Sequence, residues 1–262
     1  MVTRAPERGA PGPVSIGAGA GIGRSVASYL FMPTLLTVVL IALYLYVSGQ
    51  ELDSIEQRRV NLAFIASSIG QHLQLTVVST VFVLVIAIPL GILLTRPFAR
   101  RITPPAIATV NIGQALPSIG LVALFAVIWD IGFAPAVVAL VAYTTLPVLR
   151  NTMVGLQQVD PFVIESGRGM GMTRTRVLIR IELPLAVPVI LAGVRTALVI
   201  NVGTATLATF IGVGGLGDII NTGLVQSRPL VTLVGSVLTA VLALAIDYLA
   251  GIVEDVLRPK GL

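Results

Sequence analysis

The sequence predicts an all-α integral membrane protein with about six transmembrane helices, a class indicated by its composition, its hydropathy and its recurring apolar runs. Hydrophobic residues make up 55% of the 262 residues and charged residues only 11%, whereas charged residues are about a quarter of an average soluble domain. The mean hydropathy is +0.97. Most of the apolar runs approach the roughly 20 residues that a helix needs to cross a bilayer.

The first 72 residues are predicted to contain a tail, one anchor and a loop. Residues 1–28 are rich in Gly, Pro, Ala and Arg without a sustained apolar period, which is typical of a mobile tail. Residues 29–48 contain an uncharged run that could be a signal-peptide core, but it is longer than usual and lacks a clear cleavage site, which favours a retained transmembrane anchor. Residues 49–72 are mixed in charge and are predicted to be an amphipathic extracytoplasmic loop.

Residues 73–250 are predicted to form the helical core. Five further spans are expected at residues 73–94, 106–129, 136–149, 185–211 and 230–250. Pro89 and Gly91 should bend the inner end of the first of these, because proline interrupts the helical hydrogen bonds. Residues 151–184 form a polar loop between the spans, and residues 251–262 are predicted to be a cytoplasmic tail.

Basic residues are distributed unequally between the two sides. With six spans both termini share a side, and the side with more Lys and Arg is cytoplasmic. That side carries Arg4, Arg8, Arg24, Arg96, Arg100, Arg101, Arg150, Arg168, Arg174, Arg176, Arg180, Arg258 and Lys260, whereas the other carries Arg58, Arg59 and Arg228. We therefore predict cytoplasmic termini. The net charge of +5 reflects membrane topology and not a nucleic-acid partner.

The polar stretch 160–184 is predicted to be a cytoplasmic helical hairpin. Asp160 is a suitable N-cap, and proline suits the position after it. Gly169 and Gly171 should end this first helix. Thr173 could cap a second short helix over residues 174–182, which is expected to stop near Pro184. A rigid basic hairpin in water favours docking of a soluble partner.

The composition excludes several kinds of site. The chain has no cysteine and one histidine, His72, so disulfides and His/Cys zinc clusters are excluded. Its only lysine is Lys260, so a GxxxxGK[ST] phosphate loop is absent. No set of paired carboxylates or Ser/His/Asp groups marks a catalytic centre. We predict that the chain is no enzyme and binds no metal or cofactor itself.

Two further patterns have competing interpretations. The string Gly212-x-Gly214-x-x-Gly217 matches a dinucleotide fingerprint, but no strand precedes it and no acidic residue follows at the required distance, so a closely packed outer turn is expected. Arg195 and Asp247 lie within spans, where ionisable groups are costly and are functional suspects. Pairing with each other or snorkelling to the inner interface is the favoured interpretation.

Polar side chains on three spans could line a translocation path. They also could simply hold helices together, because hydroxyl and small residues do so without any ligand. The residues are Asn111, Gln114, Ser118, Tyr143, Thr144, Thr145, Asn201, Thr204 and Thr206.

The hairpin resembles the cytoplasmic loop of ABC importer permeases, whose pattern is E-A-A, three residues, Gly, nine residues, then I-x-L-P. Here Glu165-Ser166-Gly167, Gly171 and Ile181-Glu182-Leu183-Pro184 keep both spacings. Small residues replace the two alanines. The segments TTLPVLRNT, ELPLAVPVILAGVRTA, NVGTATLATFIGVGGLGDII and GQALPSIGL are similar to permeases that import glycine betaine, choline and carnitine.

The resemblance implies a type I importer fold with a five-helix core in a bacterial inner membrane. It implies a second permease subunit, either the same chain or a paralogue, two copies of an ATPase that uses ATP, and an extracytoplasmic solute-binding protein. The loop would supply the ATPase-coupling helix through Glu165, Ser166, Gly167, Arg168, Gly169, Gly171, Arg174, Leu183 and Pro184. An amino-acid permease, and a secondary carrier that needs no ATPase, are the alternatives. A secondary carrier leaves the hairpin unexplained, and no convincing inverted repeat supports it.

Overall fold

The computed structural model describes residues 26–257, with side chains from Tyr29 onward. Between these limits the chain is helical and contains no strand, which confirms the predicted all-α class. Almost all of the predicted tail 1–28 and the last five residues lie outside the described part. The helices are α1 Val26–Ser48, α2 Ser54–Arg59, α3 Leu62–Leu94, α4 Thr103–Ala115, α5 Ser118–Ile128, α6 Phe133–Gln157, α7 Pro161–Gly169, α8 Arg174–Val177, α9 Leu183–Ala205, α10 Leu216–Val225 and α11 Pro229–Leu257.

Five helical segments within residues 26–257 are long and apolar enough to cross a membrane, and a bent pair could supply a sixth. The five segments are Tyr29–Ser48, Leu62–Leu94, Phe133–Gln157, Arg174–Ile211 and Pro229–Leu257. The predicted number of about six agrees with this result. Several helices are longer than predicted: α6 continues to Gln157, and α11 continues to Leu257 through much of the predicted C-terminal tail.

The predicted outer loop 49–72 is largely helical. Asn61 caps α3 by accepting a hydrogen bond from the Phe64 N–H at 2.8 Å, so this helix begins at Leu62 and not near residue 73. Asp53 caps α2 in a capping box with Glu56. The Glu56 N–H hydrogen bond lowers the pKa of Asp53, with Arg228 contributing. The mixed charge of 49–72 therefore concealed two capping residues and the helices that they start, and the position of this segment outside the membrane stays a prediction.

The third predicted span is broken. The structure has α4 and α5 meeting at 97° in place of one helix over 106–129. Pro117 disfavours helical geometry in the residue before it and cannot donate a backbone hydrogen bond. Leu116 accordingly has an extended ψ of 143°, and Pro117 stands immediately before α5.

Helix α6 lies at the centre of the bundle and is approached closely through glycines. A Cβ atom at Gly91 of α3 would lie 2.8 Å from Cβ of Thr152, and one at Gly193 of α9 would lie 2.6 Å from Cβ of Asn151. On α4, a Cβ at Gly113 would lie 2.5 Å from a backbone oxygen of α6. Small residues allow membrane helices to pack at short distances. The glycines therefore set the spacing of α3, α4 and α9 around α6.

Gly193→Ala should destabilise the bundle by about 1–3 kcal/mol, the usual cost of overpacking a tight interface. Gly203→Ala is the matched control on the same helix, because no atom lies within 4 Å of its added Cβ. This control should be neutral or gain up to about 1 kcal/mol from helix propensity. Thermal unfolding in detergent checks both variants, and equal stability of the two would contradict the packing account.

Helix α1 lies outside this bundle and contacts α11. The Tyr29 hydroxyl donates to Oδ2 of Asp255 at 3.1 Å, and the Tyr248 hydroxyl donates to the Tyr29 carbonyl at 2.8 Å. None of the most apolar stretch of α1 is buried within the chain. This peripheral helix coincides with the predicted anchor at residues 29–48.

Candidate functional site

The stretch 160–184 forms a hairpin whose first arm matches the prediction. Oδ1 of Asp160 accepts a hydrogen bond from the Phe162 N–H at 2.8 Å, and Pro161 is the first residue of α7. Helix α7 ends at Gly169, and Gly171 has a φ of +84°, a left-handed conformation that favours glycine. Thr173 then caps α8. The sequence therefore predicted the helix–glycine–helix order correctly.

The second arm does not stop at Pro184. Helix α8 ends at Val177, and a π-helix, Leu178–Glu182, leads directly into α9. The Leu183 N–H bonds to the Leu178 carbonyl, five residues back. In a regular α-helix the ring of Pro184 would collide with the carbonyl four residues earlier. Here the wider turn of the π-helix precedes the proline, so the helix can continue through it. The predicted stop was wrong, and the hairpin is continuous with a membrane helix.

The two arms touch at Gly167, which is buried. A Cβ at Gly167 would lie 2.6 Å from Cδ1 of Ile181 and 3.5 Å from Cγ2 of Val177. Glycine therefore allows α7 to lie directly against the second arm. Gly169, two residues on, has no atom within 4 Å of an added Cβ.

Gly167→Leu should force the arms apart and raise the rate of tryptic cleavage at the hairpin arginines about tenfold, equivalent to about 1.4 kcal/mol of local opening. Gly169→Leu is the matched control and should leave the cleavage rate unchanged, because its side chain enters open space. Time-resolved proteolysis of the detergent-solubilised protein measures both rates. Equal rates would show that the arms do not depend on this contact.

The hairpin exposes large apolar side chains. Phe162 is 77% exposed, Met170 71% and Ile179 59%. Surface apolar side chains that cluster in one segment mark interaction sites. The predicted coupling residues Glu165, Ser166, Arg168, Gly169, Gly171, Arg174 and Pro184 are also exposed, whereas Leu183 is partly buried.

An ion pair that the sequence did not reveal joins the hairpin to α3. Arg96 donates from Nη2 to Oε2 of Glu182 at 2.7 Å and from Nη1 to Oε1 at 3.3 Å. Glu182 is 5% exposed. It is the variable residue between Ile181 and Leu183-Pro184, so the motif assigns it no role. The sequence offered one indication of this pair, because Glu182 is an acidic residue of a mostly basic hairpin and stands next to a predicted span.

Part of the predicted path is a buried hydrogen-bonded cluster. The Asn201 amide donates to Oγ1 of Thr80 at 2.9 Å, and Oγ1 of Thr144 donates to Oδ1 of Asn201 at 3.1 Å. Asn201 and Thr144 are fully buried. These contacts join α3, α6 and α9. Thr145 and Thr204 are also buried within the chain.

The remaining predicted path residues are at least partly accessible. Asn111 is exposed, and the partly buried residues are Gln114, Ser118, Tyr143 and Thr206. Gln114 and Ser118 flank the break between α4 and α5. The structure therefore brings only some of the nine residues together, and their role in translocation stays a prediction.

The ionisable residues inside the bundle pair with each other, as predicted. Arg195 of α9 donates from Nε to Oδ1 of Asp247 on α11 and from Nη2 to Oδ2, both at 2.5 Å. Glu254 lies 3.8 Å from the same guanidinium. A paired arrangement greatly lowers the cost of these charges in lipid.

The glycine segment 212–217 is a tight turn followed by a short helix. Gly212, Gly214 and Gly215 all have positive φ values, between 73° and 84°. Oε1 of Gln71 accepts from the Gly215 N–H at 3.0 Å, and the neighbouring His72 ring bonds the Val202 carbonyl at 2.9 Å. The closely packed turn is confirmed, and its place on the outer side of the membrane stays a prediction.

Comparisons with known proteins agree with this arrangement. The family model of the binding-protein-dependent transport system inner membrane component matches residues 87–259. A glycine betaine/carnitine/choline transport system permease protein of Bacillus subtilis is 42% identical over 74% of this chain and 88% of that protein. An osmoprotectant import permease protein of Salmonella typhimurium is 40% identical over 81% of this chain and 89% of that protein.

A solved structure has the same fold. A chain of the MetNI methionine ABC transporter, crystallised in inward-facing conformations, superposes with a TM-score of 0.66. It is 26% identical, and the match covers 74% of this chain and 96% of that one. The chain therefore belongs to the binding-protein-dependent transport system inner membrane component family and is a permease subunit of an ABC importer.

Proposed function

We propose that this permease subunit imports quaternary-amine compatible solutes of the glycine betaine, choline and carnitine type, driven by ATP hydrolysis on a separate subunit. The observation that carries the proposal is the exposed hairpin in a chain that is about 40% identical, over most of its length, to permeases named for these solutes. The hairpin explains how a chain without a phosphate loop could use ATP.

The hairpin serves as the docking element for the ATPase. Its exposed apolar side chains, above all Phe162 and Met170, would be buried against that partner, while Arg168 and Arg174 would make charged contacts. Gly167 and Gly171 shape the element by allowing close contact and a left-handed turn. The Leu183-Pro184 step joins it to α9, so displacement of the docked hairpin reaches a membrane helix directly.

The complete transporter would contain two permease subunits, as copies or paralogues, with two ATPase subunits and an extracytoplasmic solute-binding protein. The excess of Arg on the hairpin side supports cytoplasmic termini in a bacterial inner membrane. An aromatic cage for a quaternary ammonium would belong to the binding protein, because this chain is only 5% aromatic. Asn111, Gln114 and Ser118 would border the path at the α4–α5 break.

Uptake into proteoliposomes tests the proposal. The complete complex should accumulate radiolabelled glycine betaine, choline or carnitine only when ATP and the binding protein are both present. Uptake that continues without the ATPase and collapses with an ionophore would contradict it and favour a secondary carrier.

The likeness to a methionine transporter supports an amino acid as the second candidate substrate. Calorimetry on the solute-binding protein separates the two classes. Binding of quaternary ammonium solutes, and not of amino acids, is expected. An amino-acid ligand would overturn the solute class while leaving the ATP-driven importer unchanged.

A further inference from the structure

We propose that Arg96 and Glu182 form a latch that positions the hairpin relative to α3, so that displacement of the hairpin moves α3 and α9 as one unit. The proposal rests on the proposed docking of an ATPase to the hairpin. It assigns a positioning role to two residues that lie outside the predicted coupling set.

The geometry of the latch favours a fixed orientation. Each of the two terminal guanidinium nitrogens of Arg96 donates to one carboxylate oxygen of Glu182, and such bidentate pairs fix direction as well as distance. Two further hydrogen bonds fix the Arg96 guanidinium to the end of α3. Nη2 also donates to Oγ1 of Thr95 at 3.0 Å, and Nε donates to the Ile92 carbonyl at 3.2 Å. The guanidinium is therefore attached to the last turn of α3.

The carboxylate belongs to an unusual backbone segment. Glu182 is the last residue of the π-helix that separates α8 from α9. Short π segments inside α-helices are rare and are frequent at functional sites. If this segment became a regular α-helix, its wide turn would contain one residue fewer. Glu182 would then be rotated by about 100° relative to α8. Binding to Arg96 opposes that rotation and holds the hairpin at one angle.

The latch connects the hairpin to the packed core at two points. Helix α3 packs on α6 through Gly91 and Thr152, close to its latched end. Helix α9 packs on α6 through Gly193 and Asn151. A hairpin joined only through the backbone of α9 could swing at the π turn without moving α3. The pair removes this freedom, because Glu182 is buried and its charge is costly away from the guanidinium.

The first test measures solute transported per ATP hydrolysed in the reconstituted complex, with radiolabelled glycine betaine, choline, carnitine and methionine as probes. Arg96→Gln and Glu182→Gln should lower this ratio about tenfold while ATP hydrolysis stays within about twofold of the unaltered complex. The double variant Arg96→Glu with Glu182→Arg should recover most of the ratio. Arg100→Gln removes the same charge from an exposed position of the same loop and should change nothing.

The second test does not depend on transport. The chain has no cysteine, so Phe98→Cys in the loop after α3 and Thr175→Cys on the exposed second arm of the hairpin provide two sites for spin labels outside the proposed docking contacts of Phe162 and Met170. In the complete complex their distance distribution should stay narrow when ATP binds, and it should broaden in Glu182→Gln. The latch is overturned if Glu182→Gln changes neither the transport ratio nor the width of the distribution. Loss of ATP-dependent uptake in the unaltered complex would instead overturn the proposed function, with the distance measurement still deciding on the latch.

Discussion

Phe162→Asp should weaken binding of the ATPase partner at least about 30-fold, because it places a charge where an exposed aromatic side chain is proposed to become buried. Large interface side chains that act as hot spots contribute about 2 kcal/mol or more, which corresponds to this factor. Phe162 is the most exposed apolar side chain of the hairpin, and it follows directly on the Asp160-Pro161 cap that orients α7. Binding of the purified ATPase to the permease in nanodiscs measures the effect.

Phe98→Asp is the matched control for this variant. Phe98 is 71% exposed and lies in the loop after α3, which the Arg distribution places on the same side of the membrane. The same substitution there should leave the affinity within about threefold, since Phe98 lies outside the hairpin sequence 160–184. Equal losses in both variants would mean that charge near the membrane, and not the hairpin surface, governs association.

Arg195→Leu should lower the stability of the bundle by about 3 kcal/mol, the usual cost of removing one member of a buried ion pair. The side chains of Arg195 and Asp247 are 31% and 26% accessible within the chain, so most of the surface of both groups is buried against protein. The Asp247 carboxylate would lose two guanidinium hydrogen bonds. Thermal unfolding in detergent and the yield of folded protein both report the loss.

The double variant Arg195→Leu with Asp247→Leu separates charge from packing. It should recover most of the stability, because apolar residues often replace a buried ion pair without net cost. The stability of Arg195→Lys should lie between those of Arg195→Leu and the unaltered protein, since a lysine keeps the charge but not the bidentate geometry. A single Arg195→Leu variant that is as stable as the unaltered protein would contradict the assigned pairing.

The parts of the fold that were predictable depend on short-range chemistry. Asp160 and Pro161 start a helix through one side-chain hydrogen bond and one missing N–H, both visible in adjacent residues. Gly171 marks its left-handed turn in the same way. The break at Leu116-Pro117 was equally local but was missed, because the apolar run continues on both sides and concealed a 97° bend.

The parts that were not predictable depend on contacts between distant residues. The π-helix before α9 cannot be read from LIRIE alone, and Arg96 is 86 residues away from Glu182 in the sequence. The polar residues at mid-membrane had two interpretations, and only the packed bundle shows that Asn201 bonds Thr80 and Thr144. The sequence identified Asn201 as a polar residue within an apolar span, but it could not show which side chains form hydrogen bonds with its amide.

The central claim, that the hairpin lies in the cytoplasm and docks an ATPase, is tested most directly by labelling one cysteine. Ser166→Cys, a nearly isosteric change at an exposed position of α7, would be the only thiol in the chain. A membrane-impermeant maleimide should label it in inside-out vesicles, should fail to label it in right-side-out vesicles, and should react at least about tenfold more slowly once the ATPase is bound. Labelling from the outer side, or labelling from the inner side that the ATPase does not slow, would contradict the account.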